Sequence, residues 1–130
     1  NPTALLQMRQ VVESVYLDAD LERYIVLLTS QTRAHRKVAV GASPRGALAL
    51  LKLARAWAAM HGRSYVLPDD VKLFARPVLV HRLILEPDLW TERQAADDVI
   101  SEVLRAVPVP VISTTPRSAS ALSRAAAPRE

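Results

Sequence analysis

The 130 residues are 50% hydrophobic but only 5% aromatic, a balance that supports one domain with a core and favours close-packed helices over a β-sandwich. Cysteine is absent, which excludes disulfides and thiolate metal sites, and no apolar run approaches the roughly 18 residues that span a bilayer or reads as a signal peptide. The net charge of +4 comes from interleaved acids and bases, so it argues only weakly for a nucleic-acid partner, and the expected setting is cytoplasmic.

In the opening NPTALLQMRQVVESV, Leu5, Met8, Val12 and Val15 share a helical face and predict a first helix over about 4–14. VYL then reads as a short extended bridge, and Asp18 as the N-cap of a second helix over about 19–35. Leu21, Tyr24, Ile25, Leu28 and Thr32 line one face of that helix. Arg33, His35, Arg36 and Lys37 fall at its end, where cations suit the helix dipole better than they make a nucleic-acid patch. VAV, 38–40, reads as extended.

A third helix begins at Pro44 behind Ser43 and closes at Gly62. Its apolar positions nearly encircle it, Leu48, Leu50, Leu51, Leu53, Ala54 and Trp57 among them, which predicts a central helix buried against several neighbours. A fourth opens with Pro68, Asp69 and Asp70, runs through Leu83, and should kink at Pro77. Thr91 and Gln94 suggest a capping box ahead of a fifth helix whose buried face is Val99, Ile100, Val103 and Leu104. From 107 onward, four prolines and small residues without a periodic face read as a disordered tail. The expected fold is therefore all-α, a bundle of four to five helices over 1–106 with a tail over 107–130.

Few residues announce chemistry. His35, His61 and His81 never stand at i,i+4, so no metal site is expected. The pairs Asp69–Asp70 and Asp97–Asp98 sit near helix starts and read as solvated dipole partners rather than an acid/base dyad. Neither a GxSxG nucleophile motif nor a GxxxxGK[ST] phosphate loop is present, and the chain alone should not be catalytic.

Arg45 is the exception. It follows Pro44 in the first turn of the third helix, where the backbone already carries positive potential and no acid balances it. Free amides, dipole and guanidinium together describe an anion site, and Gly46, at a helix cost of about 1 kcal/mol, clears room for close approach. An Arg reaching outward to a neighbouring acid, with Gly46 admitting tight packing, explains the same residues. Helix electrostatics does not choose between them.

The run VGASPRGALALLKLARAWAAMHGRSYVLPDDVKLFARPVLVHRLIL, 40–85, closely resembles the C-terminal lid of MoxR-type AAA+ ATPases. LERYIVLLTSQTR, 21–33, is similar to that lid's first helix, and VISEVLRAVPVP, 99–110, to its ending. The ordered combination of GASPR, GRxYVxPDDV and PVLxHR carries the specificity; GxxPR alone occurs in other AAA+ lids. The resemblance implies that Arg45 is the sensor-2 arginine, reaching a nucleotide's terminal phosphates, with Gly41, Ala42, Ser43 and Pro44 forming the turn that presents it and Ser43, Pro44 and Gly46 beside it at the nucleotide. It makes Tyr24 and Ile25 candidates for approaching adenine, although their place on an apolar face favours core packing. The PDDV turn and His81–Arg82 would serve structure or subunit contact, and Leu67 stands where the family often has a capping Thr or Ser. ATP with Mg would be bound mainly by an N-terminal core that this chain lacks, so the chain reads as the lid of a longer ATPase. Further implied partners are neighbouring subunits of a homo-oligomer and von Willebrand factor A-domain proteins, and the implied role is chaperone-like remodelling. An independent protein-interaction module, or a nucleic-acid-binding helical domain, are the alternatives.

Overall fold

The computed structural model describes residues 1–112 and Thr114. Five α-helices are found among them: α1 (Pro2–Ser14), α2 (Ala19–Ala34), α3 (Pro44–Met60), α4 (Pro68–Leu79) and α5 (Ala95–Ala106). Two short strands, β1 (Val38–Val40) and β2 (Ile84–Leu85), pair antiparallel, with Val38 opposite Leu85 and Val40 opposite Ile84. The sequence indicates β1 but gives no sign of β2, whose two residues are too few for an alternating pattern to register.

Local chemistry sets most helix ends. The Asn1 side chain accepts the Thr3 N–H at 3.0 Å and so starts α1 at Pro2, two residues before the expected start. Asp18 accepts the Asp20 N–H at 2.8 Å and caps α2. Gly62, at φ +68°, takes the left-handed conformation that closes α3, as its position predicts. Leu67 makes no side-chain cap at α4, but the Asp70 carboxylate reaches back to the Leu67 N–H at 2.8 Å and supplies half of a capping box.

The core lies between α2, α3, α4 and α5, and α3 packs most extensively on α4. Leu21, Leu28, Leu50 and Ile100 are fully enclosed, each contributing about 1.5–3 kcal/mol of burial. On α3 the buried positions are Gly46, Leu50, Ala54 and Ala58; the glycine and the two alanines are small enough to let neighbouring backbones approach.

Several expectations are corrected. The proposed core face of α1 is largely in solvent, with Leu5 61% and Met8 65% exposed; only Val15, just past the helix end, is buried. Similarly, α3 is not enclosed all round, since Leu48 and Leu53 are exposed: a bundle this small lacks the elements to surround it. The fourth helix contains Pro77 but ends at Leu79, passing into a 3-10 turn at Val80–Arg82 instead of continuing through Leu83. No capping box forms at Thr91, because Gln94 itself occupies the N-cap position of α5 and caps nothing with its side chain. Of residues 107–112, Val107 is buried and Ile112 packs against the core. The remaining expected tail, 113 and 115–130, lies outside the described residues.

Candidate functional site

The first turn of α3 is built differently from that of α4. Asp69 and Asp70 occupy the start of α4, whereas α3 has no acid in its first turn and no side-chain cap from Ser43. Pro44 has no N–H, and the Gly46 N–H donates to the Ser43 carbonyl at 2.8 Å. The Gly46 N–H is therefore engaged and the Arg45 N–H left open, so the expected array of free amides is smaller than the first turn alone suggests. Any anion held here would depend chiefly on the guanidinium. Arg45 is exposed and forms no hydrogen bond or ion pair among the described residues, so no neighbouring acid claims it.

The turn carrying Arg45 is clamped to the end of α2. Thr32 Oγ1 accepts the Ala42 N–H at 2.9 Å and donates to the Thr29 carbonyl at 2.6 Å. Arg33 Nη1 donates to the Ala42 carbonyl at 2.7 Å, so both backbone groups of fully buried Ala42 are held. Gly41 lies so close to α2 that an added Cβ would stand 2.5 Å from the Arg33 backbone nitrogen. On the other flank, a Cβ at Gly46 would meet Leu79 Cδ2 at 3.1 Å and Arg82 Cδ at 3.6 Å. Gly46 thus admits the end of α4 against the first turn of α3, the packing role that the sequence left open. Arg82 is fixed in turn by donation from its Nε to the Val78 carbonyl at 2.9 Å.

Tyr24 and Ile25 lie in the core, 1% and 2% exposed, so neither reaches a ligand outside the bundle without moving. The Tyr24 hydroxyl is buried without a hydrogen-bond partner among the described residues, and its pKa is raised by burial and then by Asp69.

The basic cluster after α2 is largely consumed internally. Lys37 Nζ donates to Glu102 Oε1 at 3.0 Å, and His35 Nε2 lies 2.8 Å from Glu102 Oε2. The Lys37 N–H donates to His35 Nδ1 at 3.2 Å, which places the ring proton on Nε2 and makes the imidazole the donor to Glu102. The Glu102 carboxyl is held below its ordinary range, first by Lys37 and then by His35. With Arg33 on Ala42 as well, a continuous basic stripe for nucleic acid does not form here.

Asp70 is a correction to the expectation of solvated acids. It is 4% exposed, and its two oxygens each accept from Arg63, Nη1 and Nη2, at 2.7 Å. This bidentate pair raises the Arg63 pKa and ties the loop after α3 to the start of α4. Asp69 stays exposed, as expected for a solvated acid, whereas Asp97 lies 3.6 Å from Arg76 on α4. No group of three or more His, Cys, Asp or Glu side chains suited to a metal ion occurs among the described residues. The sequence marks Thr32 as part of a helix face, Arg33 as part of a basic cluster and Asp70 as a solvated acid, but not the bonds they make, since each joins segments separated by a turn that no helical period spans.

Residues 30–103 match the family model described as the AAA lid domain. The chain is 40% identical over 104 residues to the YeaC protein of Bacillus subtilis (strain 168), covering 80% of this chain and 32% of that one. It is 32% identical over 122 residues to the chaperone MoxR1 of Mycobacterium tuberculosis, covering 87% of this chain and 32% of the relative. The crystal structure of a candidate ATPase from Cytophaga hutchinsonii superposes with a TM-score of 0.74 at 32% identity, over 78% of this chain and 34% of the other. The chain thus spans about a third of the length of these relatives.

Proposed function

From the premise that the chain belongs to the AAA lid domain family, as a lid of the MoxR type, we propose that it presents Arg45 to the terminal phosphates of a nucleotide. That nucleotide, ATP with Mg, would be bound mainly by the core of a longer parent ATPase. The observation carrying this reading is the exposed, unpaired Arg45 on an acid-free helix start whose turn is clamped by Thr32 and Arg33. The clamped turn fixes the backbone from which the guanidinium reaches, and its unpaired charge needs no prior bond broken.

Ser43, Pro44 and Gly46 shape the turn, and Gly46 sets its distance from α4. Metal coordination would fall to the parent's core, because the described residues offer no suitable donor cluster. Tyr24 and Ile25 contribute through the core that fixes α2, and contact with adenine would require them to leave it. Coupling of nucleotide state to lid position, and from there to chaperone-like work on other proteins or on von Willebrand factor A-domain partners, is the broader role we assign to the parent. It draws support from the chaperone relative.

Replacing Arg45 by Ala in the full-length parent should lower ATP turnover by about a hundredfold, the usual scale for removing one preorganised charge stabiliser. The melting temperature of the 130-residue chain should change little, because the Arg45 guanidinium makes no hydrogen bond or ion pair among the described residues. Unchanged turnover would exclude Arg45 from the reaction.

A further inference from the structure

The least satisfied surface of the molecule lies between α1 and α3. No residue of α1 is buried, and Leu5, Leu6, Met8 and Val11 are 57–65% exposed. Its apolar face is turned toward α3 without closing on it. Along one side runs an open groove of about 550 Å³ floored by Leu5, Met8, Val12 and Leu51. Along the other runs a second, of about 470 Å³, whose walls include Val11, Ala56 and Met60. A 13-residue helix has little stability of its own in water, so a helix with this many exposed apolar side chains calls for a further surface to cover it.

The charges around the first groove define what that surface carries. Arg9, Lys52 and Arg55 border it against a single carboxylate, Glu13, and none of the three is ion-paired with it. Arg55 Nε is buried with no hydrogen-bond partner among the described residues, a donor withdrawn from water. An apolar floor, a cationic border and an orphaned guanidinium donor together fit an amphipathic segment that inserts apolar side chains and delivers a carboxylate to Arg55.

We infer that the α1–α3 groove is the permanent seat of an acidic amphipathic helix belonging to the same polypeptide, in the part of the parent protein outside this chain. This rests on the reading of the chain as the lid of a longer protein. Two observations favour the same polypeptide as the source. The matched relatives are about three times the length of the aligned segment, so most of such a protein lies beyond it. The uncovered residues also belong to a helix that draws little support from the bundle, which suits constant cover better than an occasional visitor.

Hydrogen exchange of residues 2–14, compared between the full-length parent and the 130-residue chain, tests this. The expected result is exchange slower by about tenfold or more in the parent, at every protein concentration. Arg55→Glu in the parent should remove most of that protection, and Leu5→Asp should do the same through the groove floor. Leu5→Asp, at an exposed position, should leave the 130-residue chain with its melting temperature unchanged, and Arg55→Gln, which removes the charge without burying a carboxylate, should lower the protection in the parent as Arg55→Glu does. Equal exchange in parent and chain overturns the proposal. Concentration-dependent protection overturns the same-polypeptide source and indicates a second copy instead. Protection that survives Arg55→Glu but not Leu5→Asp overturns the carboxylate. The Arg45→Ala parent separates the two readings: normal turnover with α1 still protected removes the phosphate role alone, and reduced turnover with α1 unprotected removes the groove proposal alone.

Discussion

Gly41 has no room for even a methyl group, because the Arg33 backbone occupies the place a Cβ would take. Gly41→Ala should therefore push the 41–43 turn off α2 and strain both bonds to Ala42, lowering stability by about 1–3 kcal/mol in a thermal melt. If the proposed role of Arg45 holds, the same variant should impair turnover in the parent without touching the guanidinium. Arg63→Ala is a different kind of loss. It leaves the buried Asp70 carboxylate with the Leu67 N–H but without its two guanidinium bonds, and should cost about 3 kcal/mol, read as a lower melting temperature. At this scale the sequence was only partly legible. Arg45 stood out because it violates a local rule of helix charge, and a local rule needs no fold to be read. Asp70 looked like an ordinary acid at a helix start because its partner lies across a loop.

At the scale of elements, the helices were legible wherever one face was buried and the other wet, as in α2 and α5. The pattern failed where composition was uniformly apolar. The Ala- and Leu-rich surface of α3 suggested burial all round, yet only the positions facing its neighbours are enclosed. α1 had a convincing apolar stripe, but periodicity states which residues could be buried, not whether anything is present to bury them. The junction of α5 with the segment after α2 depends on pH through Glu102. Its carboxyl is held below the ordinary glutamate range by Lys37 and then His35, so the folded state binds that proton more weakly than the unfolded chain. The contribution to stability is complete above the unfolded value and disappears as pH falls through the lowered folded one. Wild type should therefore lose more melting temperature than Glu102→Gln between about pH 5 and pH 3, with the two curves converging at the acid end. Parallel curves would show that the carboxylate's charge does not matter to the junction.

The molecule as a whole is a helical bundle with a small two-stranded clasp, and its class was legible from composition and motif order. The family match extends that reading over residues 30–103. No described helix is long and apolar enough to cross a membrane. Less legible was the uneven distribution of order. α2 to α5 share a closed core, while α1 rests against α3 with its apolar side chains in water. Such an imbalance depends on the relative positions of helices and has no counterpart in a linear pattern.

Arg45 and Arg55 belong to the same helix, ten residues apart, which places them about 15 Å from each other along its axis. One is exposed at the tip of α3; the other lines the groove farther along the helix. A packed α-helix does not shorten or bend easily between two such points. If both proposed partners engage, α3 acts as a push-rod: a shift imposed at the groove is delivered to the nucleotide end at nearly full amplitude, and the reverse stroke travels the same shaft.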